Sequence, residues 1–228
     1  MRGDTGGRTR RLTEKLNLYY DRAACSLGVR IALEAAGADY ADTRVAIRKG
    51  EAQAPEYLKV NPAGRVPSLA IPGETEALGE LVAIFSWLAE RFPDAGLLPP
   101  SGIERARALS FLSMLATHIH ASGFGPFFRP QRFAAGDEAQ KDVQAQSLAT
   151  VADGYRQIEA RLGSDGFAMG AQPSAVDYMI YVYGRWGAAT PIKVAEDYPR
   201  MAALMARVEA LPQTKAALEK EGLPTVAG

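Results

Sequence analysis

The stretch that decides the fold is LNLYYDRAACSLGVRIALEAAG, residues 16–37, which predicts a strand, a turn and a helix. LNLYY is short, apolar and partly aromatic and ends at a polar turn, as buried strands do. In the helix that follows, Ser26 can cap the start and Gly37 ends it. DYADTRVAI, residues 39–47, alternates as a second strand. The usual arrangement of such a unit is a parallel pair of strands joined by a crossover helix.

The next fifty or so residues extend this unit. Residues 55–60 have helical character, and SLAI at 68–71 predicts a third strand after a loop that contains Pro62 and Gly64. The weaker EAL segment, residues 76–78, is expected to pair with it as an antiparallel edge. ELVAIFSWLAERF, residues 80–92, predicts a helix with one apolar face. The predicted order of this half is βαβαββα.

The second half of the chain predicts helices and no convincing strand. FPDAGLLPPSG is rich in proline and glycine between two helical patterns, which is typical of a domain linker. The helical patterns run over residues 103–120, 137–162, 174–188, 199–211 and 214–221. They indicate a helical bundle. The predicted domains are an unstructured extension at 1–15, an α/β domain at 16–92, a linker at 93–101 and an all-α domain at 102–228.

Composition narrows the class of partner. The 228 residues carry 26 Lys plus Arg and 26 Asp plus Glu, so no global field attracts nucleic acid or an anionic membrane surface. Charges interrupt every apolar stretch well before about 18 residues, and the first residues lack the apolar segment of a secretory signal. We therefore expect a protein that is not exported, with neither nucleic acid nor a membrane as partner.

The single cysteine, Cys25, is the most reactive group that the sequence offers. It lies between a strand end and a helix start, where backbone N–H groups and the helix dipole favour a thiolate. A free thiol of pKa near about 8.5 is only about 3% ionised at pH 7, and half ionisation requires about 2 kcal/mol. A helix terminus supplies about 0.3 to 2 kcal/mol. Our hypothesis is an active-site thiol of lowered pKa; the alternative is a small buried hydrophobic residue.

Five segments of the chain, taken together, resemble one family. They are LYYDRAACSLGVRIALEAAGADY, VNPAGRVPSLAI, ELVAIFSWLAERFPD, HIHASGFGPFFRP and PSAVDYMIYVYGRW. The first three resemble the thioredoxin-like domain of glutathione transferases, ACSLG resembles the bacterial beta class, and the last two resemble its helical domain. The resemblance implies a thioredoxin-like fold for residues 16–92, a cytoplasmic detoxification enzyme, glutathione as co-substrate and a homodimer.

The resemblance also implies a binding site for glutathione. Val66 would pair its backbone with the cysteinyl part, followed by a cis Pro67. The helix that begins at Glu80 would hold the γ-glutamyl carboxylate at its N–H groups, with Leu81 where the family has a small residue. Candidates for the glycyl carboxylate are Lys49, Arg48 and Arg65.

The two histidines belong to one helical stretch, THIHASGF, and at spacing i, i+2 they point to different faces. No cysteine or carboxylate ligand set accompanies them, so we expect no metal. The resemblance aligns His120 with the beta-class histidine near the thiol, where it would keep the sulfur anionic or move a proton. A packed or capping role is the alternative. The candidates for polarising the glutathione sulfur are Cys25, Ser26, Tyr20 and His120.

Aromatic side chains of the second half predict an apolar pocket for an electrophile. Its candidate residues are Phe124, Phe127, Phe128, Tyr178, Arg185 and Trp186. Core packing is the alternative for each of them. Ser174 and Asp177 form a capping-box pattern, which is a folding device.

The reaction implied by the resemblance is conjugation of glutathione with a hydrophobic electrophile. With a cysteine at position 25, a mixed disulfide with glutathione would favour thiol exchange or disulfide reduction, with peroxidase activity as a side reaction. A second glutathione would then resolve the disulfide, since Cys25 is alone. The alternatives are a specialised catabolic enzyme, such as a dehalogenase, an ether-cleaving enzyme or an isomerase, and a non-catalytic binding or scaffold protein.

Overall fold

The structure is a computed structural model that describes residues 15–164 and 166–226. The expected N-terminal extension lies outside the described residues except for Lys15, whose ammonium pairs with Asp39 at 2.8 Å. Within these ranges no helix has the length and apolar character needed to cross a bilayer.

The first domain is built on a three-stranded sheet of order β2-β1-β3. β1 (Leu16–Tyr20) pairs in parallel with β2 (Tyr40–Arg44), and the helix α1 (Ser26–Ala35) connects them. β3 (Ser68–Ala70) pairs with β1 in antiparallel orientation. The strand, helix, strand unit predicted from the sequence is confirmed.

Two helices and a single bridge complete this domain. α2 spans Pro55–Leu58 and α3 spans Leu81–Arg91. The fourth strand expected at 76–78 is reduced to one antiparallel bridge between Leu69 and Leu78, with both hydrogen bonds at 2.9 Å. On its other side the segment is held by the Ala77 N–H, which donates to the Val60 carbonyl at 3.0 Å. The thioredoxin-like topology is confirmed with this short edge.

Helices make up the described part of the second half. The α-helices are α4 (Gly102–Met114), α5 (Gly125–Phe128), α6 (Asp137–Arg161), α7 (Ala175–Gly187), α8 (Val194–Asp197), α9 (Pro199–Ala210) and α10 (Pro212–Glu221). The prediction that the helix after the linker stops near residue 120 is wrong. A π-helical segment, Leu115–Phe124, continues α4 into α5. Pro126 lies at the start of α5, where the chain changes from π-helical to α-helical geometry and stays helical although proline has no N–H to donate.

One continuous apolar core joins the two domains, because α1 packs against α7. Gly28 allows the close approach: a Cβ at this position would lie 2.4 Å from the sulfur of Met179 on α7. The expected linker contributes to the same core, since Leu97 and Leu98 are buried and the Leu97 carbonyl accepts the Ala175 N–H at 2.9 Å. The start of α7 is therefore fixed to the linker.

α7 begins with the capping box predicted from the sequence. The carboxylate of Asp177 accepts the Ser174 N–H at 2.8 Å and the Ser174 hydroxyl at 2.6 Å. The other carboxylate oxygen accepts the Ala168 N–H at 2.6 Å. These bonds fix the helix that faces α1, and they give Asp177 a structural role.

A buried ion pair joins the domains on another side of α1. The side chains of Arg30 and Glu221 are both fully buried, with Nε and Oε1 3.0 Å apart. Arg30 also pairs with Asp42 of β2. The second carboxylate oxygen of Glu221 accepts the backbone N–H of Ala23 at 2.9 Å. The last turn of α10 therefore holds the loop that leads into Cys25.

Candidate active site

Cys25 occupies the N-cap position of α1, at the end of a loop that starts at Asp21. The prediction that Ser26 caps this helix is wrong. Ser26 is the first helical residue, and its buried hydroxyl donates back to the Asp21 carbonyl at 3.2 Å. Asp21 itself accepts the N–H groups of Arg22 and Ile47. The loop is thus tied from both sides, and Ala23 within it adopts a positive φ of 58°.

The thiol of Cys25 is buried, and it donates to the carbonyl of Val66 with an Sγ–O distance of 3.5 Å. Burial raises the pKa of Cys25 to about 12. The N–H groups of Cys25 and Ser26 and the charge of Arg129 act in the opposite direction, whereas Glu80 adds to the increase. The hypothesis of a lowered pKa is therefore wrong for the protein alone. The helix start stabilises the thiolate as expected, but the loss of hydration outweighs it.

The residues expected along the peptide of glutathione lie together. The bond between Val66 and Pro67 is cis, and the Val66 carbonyl faces Cys25. Glu80 is exposed at the N-cap of α3 with a positive φ of 62°. The Leu81 side chain is buried in the core, 8% exposed, so its bulk points away from solvent. The first N–H groups of α3 can therefore still hold a carboxylate.

His120 lies on the π-helical segment beside the aromatic side chains of α7. Its ring centroid is 5.6 Å from that of Tyr183 and 5.2 Å from that of Trp186. Burial, Arg129 and Arg65 together lower the pKa of His120 to about 4. The imidazole is therefore neutral near pH 7, so it has no positive charge with which to stabilise an anion. It can still donate one hydrogen bond and accept another.

His118 points to a different face of the helix, as the spacing predicted. Its Nε2 lies 3.0 Å from a carboxylate oxygen of Asp153 on α6. Within the described ranges, no group of three or more His, Cys, Asp or Glu side chains is arranged to hold a metal ion.

The structure separates the residues expected to form one co-substrate pocket. Phe124 and Phe128 pack on Trp186, with ring centroids 5.3 and 5.9 Å away, and Phe127 packs on Phe128. The Trp186 Nε1 donates to the Ala23 carbonyl at 2.8 Å, which connects this aromatic cluster to the Cys25 loop. Through Trp186, which also lies against His120, the cluster of Phe124, Phe127, Phe128 and Trp186 borders the candidate site.

Tyr178 lies away from Cys25, and the guanidinium of Arg185 is occupied by other hydrogen bonds. Tyr178 lines a separate cavity of about 490 Å³ between the domains, where Gln213 donates to its hydroxyl at 3.3 Å. Arg185 donates to the Tyr181 hydroxyl and to the Pro224 carbonyl, so it fixes the C-terminal segment. With Trp186 it also lines a cavity of about 300 Å³ beside Ala23 and Leu27.

Of the remaining candidates from the sequence, Tyr20 lies against Arg30, and the three cationic residues are exposed on the surface. Tyr20 lies against Arg30, whose guanidinium is 4.2 Å from the ring centroid, so it belongs to the interdomain ion network. Lys49 and Arg48 are exposed on the 3-10 turn Ile47–Lys49. Arg65 is exposed and acts on the charge state of His120.

Two site residues were missed by the sequence reasoning. Arg129 follows α5, and its charge favours the Cys25 thiolate. Tyr183 is fully buried on α7 beside His120. Arg129 lies in HIHASGFGPFFRP and Tyr183 in PSAVDYMIYVYGRW, but no local sequence pattern distinguishes either of them from its neighbours.

The geometry defines the class: a thioredoxin-like domain with a thiol at the start of α1, facing the residue before a cis proline, and closed by a helical domain. A family model described as "Glutathione S-transferase, N-terminal domain" matches residues 24–91. A second, described as "Glutathione S-transferase, C-terminal domain", matches residues 115–212.

Relatives agree with these matches. Glutathione S-transferase GstA from Escherichia coli O157:H7 is 31% identical over 210 residues, 91% of this chain and 100% of its own length. Maleylacetoacetate isomerase from Pseudomonas aeruginosa is 34% identical over 190 residues, 82% of this chain and 87% of its own length.

Solved structures agree as well. A glutathione transferase homologue from Sulfitobacter, with bound glutathione, superposes with a TM-score of 0.84 at 28% identity, over 92% of this chain and 99% of its own. The beta-class glutathione S-transferase of Sphingomonas chungbukensis gives a TM-score of 0.78 at 31% identity, over 91% of this chain and 100% of its own. The chain belongs to the glutathione S-transferase family.

Proposed function

We propose that this protein is a glutathione S-transferase whose reaction takes place beside Cys25. Glutathione is its co-substrate. The observation that carries the proposal is the contact between the Cys25 thiol and the Val66 carbonyl at 3.5 Å. This contact joins two parts of the chain that are distant in sequence. They are the thiol at the start of α1 and the backbone beside the cis Pro67, which we propose binds the peptide of glutathione.

The protonation state of Cys25 favours conjugation. Because its pKa is raised to about 12, Cys25 carries a proton near neutral pH, and it can donate a hydrogen bond to another sulfur in place of the one to Val66. A thiolate is the nucleophile in attack on an electrophile, so a donor beside the glutathione sulfur increases the reactive fraction. Arg129 adds a positive charge on the same side. The neutral imidazole of His120 can hold a sulfur or a substrate only through a hydrogen bond, because burial, Arg129 and Arg65 lower its pKa to about 4.

Arg129 provides a test with a matched control. It is half-buried and acts on Cys25, whereas Arg132, one turn later, is exposed. Arg129→Met is expected to lower kcat/KM for glutathione and a simple aryl halide by about 10-fold or more, because a nearby opposite charge favours an anion by about one pKa unit or more. Arg132→Met is expected to change it by less than about threefold.

Binding and turnover are measured separately. Calorimetric titration of the folded wild-type protein with glutathione is expected to show saturable heat, and aryl-halide conjugation is expected to require glutathione. If neither occurs, the enzymatic proposal fails and the non-catalytic scaffold alternative takes its place. Equal losses in both arginine variants would remove Arg129 from the site.

A glutathione-dependent isomerase is the second candidate, and the cationic field of the site favours it. Arg65 and Arg129 both act on His120, and within the described ranges neither forms an ion pair with an acidic side chain. Two unneutralised guanidinium groups suit a substrate with carboxylates. Glutathione-dependent loss of maleylacetoacetate, faster than aryl-halide conjugation, would support this candidate. Absence of that loss would exclude it.

We also propose that the protein is a beta-class enzyme, a homodimer and cytoplasmic. The ACSLG segment around Cys25 and the likeness to the Sphingomonas enzyme support membership of the beta class. A homodimer and a cytoplasmic location follow from the same resemblance. Sedimentation of the purified protein tests the first, and fractionation of the native cells tests the second.

A further inference from the structure

The hydroxyl of Tyr183 is a buried polar group without a partner. The Tyr183 side chain is completely buried on α7, and its oxygen forms no hydrogen bond within the described part of the chain. Other tyrosines near it are satisfied: Tyr155 donates to the Tyr183 carbonyl at 2.6 Å and Tyr181 donates to Glu209 at 2.6 Å. Burying a hydroxyl without a partner costs free energy, so an unpaired one points to a function.

The register between α1 and α7 places this hydroxyl opposite Cys25. The Trp186 indole donates to the carbonyl of Ala23, in the loop before α1, at 2.8 Å, and five residues later Gly28 of α1 lies against Met179. Between these two contacts the helices run in opposite directions. Cys25 lies between Ala23 and Gly28, and Tyr183 lies between Met179 and Trp186. The two residues are therefore close in space, although no hydrogen bond joins the phenol to the thiol in this structure.

The electrostatic coupling agrees with this register. Burial raises the pKa of Tyr183 well above its ordinary value, and a negative charge on Cys25 raises it further. The phenol therefore keeps its proton when the thiol ionises. It can act only as a hydrogen-bond donor to a sulfur anion, never as a competing anion.

We propose that Tyr183 is a positioning residue for Cys25, whose hydroxyl donates a hydrogen bond to the sulfur once the thiol has lost its proton to solvent. In the present structure the protonated thiol donates to the Val66 carbonyl. A thiolate has no proton to donate and is repelled by that oxygen, so the sulfur turns toward donors. Tyr183 supplies one that water cannot reach.

The other groups that face the sulfur leave a place for such a donor. Arg129 and the N–H groups of Cys25 and Ser26 stabilise the anion, whereas Glu80 opposes it. His120 lies beside Tyr183, and because its pKa is lowered to about 4 it is neutral and adds no positive charge near the sulfur. The inference rests on the proposed site at Cys25, and it concerns the fraction of the protein in which this thiol is ionised.

The test is the alkylation of Cys25 by iodoacetamide as a function of pH. Tyr183→Phe removes the hydroxyl oxygen alone, and Tyr181→Phe on the same helix is the matched control because its hydroxyl serves Glu209. Since a hydrogen bond to a charged group shifts a pKa by about one to two units, Tyr183→Phe is expected to lower the alkylation rate about 10- to 100-fold at any pH below the inflection. Tyr181→Phe is expected to leave the rate unchanged.

Thermal unfolding separates this role from a structural one. Removing an unpaired hydroxyl is expected to leave the Tm of Tyr183→Phe unchanged or higher, whereas Tyr181→Phe is expected to lower it. An unchanged alkylation rate in Tyr183→Phe, or an equal decrease in both variants, would overturn the proposal. The assay contains no glutathione, so this outcome is distinguishable from a failure of glutathione binding in the calorimetric titration.

Discussion

Arg30→Met tests whether the buried ion pair fixes the helical domain to the thioredoxin-like domain. Methionine keeps most of the length of the arginine stem but carries no charge. It leaves the carboxylate of Glu221 buried without its cation, because both side chains are 0% exposed and lie 3.0 Å apart. Asp42, the other partner of Arg30, is 35% exposed and regains water.

The expected cost is about 3 to 5 kcal/mol of unfolding free energy near neutral pH, because removing one partner of a buried pair leaves an uncompensated charge. The loss of the contact with Asp42 adds at most about 1 kcal/mol. Against a typical total stability of about 5 to 15 kcal/mol this is a large fraction. Lys59→Met is the control: Lys59 and Glu56 are 72% and 85% exposed, and the expected change is within about 0.5 kcal/mol.

The cost of Arg30→Met depends on pH in a defined direction. Burial raises the pKa of Glu221 while Arg30 holds it down. Without Arg30 the folded-state pKa rises further, and a carboxyl with a raised folded-state pKa loses stability as pH rises through the carboxyl range. The difference between variant and parent is therefore largest near neutral pH, and it decreases as Glu221 becomes protonated in both.

Urea unfolding of parent and variant at about pH 7.5 and about pH 5 measures both effects. The double variant Arg30→Met, Glu221→Leu is expected to recover much of the loss, because it removes the buried charge as well. A cost below about 1 kcal/mol at neutral pH, or an equal cost at both pH values, would refute the reasoning.

Two further predictions concern the charge states of the site. Because burial raises the pKa of Cys25, the rate of iodoacetamide alkylation is expected to rise through an inflection above that of a free thiol, about 8.5; an inflection below it would contradict the structure. The pKa of His120, followed by NMR of its ring protons with His118→Gln removing the other signal, is expected near about 4; titration close to about 6.5 would show that His120 is solvated.

Local patterns were sufficient for most of the fold. β1, α1 and the capping box of α7 each follow from residues close together in sequence, such as Ser174 and Asp177. The helix after the linker was expected to end near residue 120, but a π-helical segment carries it past Gly123 and into α5, which contains Pro126.

The electrostatics of the site could not be read from local sequence. The helix start at Cys25 correctly indicates stabilisation of an anion, but the burial of the thiol in the core shared by the two domains outweighs it. The partner of Arg30 is Glu221, 191 residues away. Tyr183 appears in sequence as one more core aromatic, and only the register with α1 places it opposite the thiol.

A crystal structure of the protein soaked with glutathione tests the central claim most directly. We predict the tripeptide against the Val66 backbone, its γ-glutamyl carboxylate at the first N–H groups of α3, and its sulfur in contact with Cys25. The account would be contradicted by density for glutathione only in the separate cavity lined by Glu34, Asp94 and Gln213, with none beside Cys25.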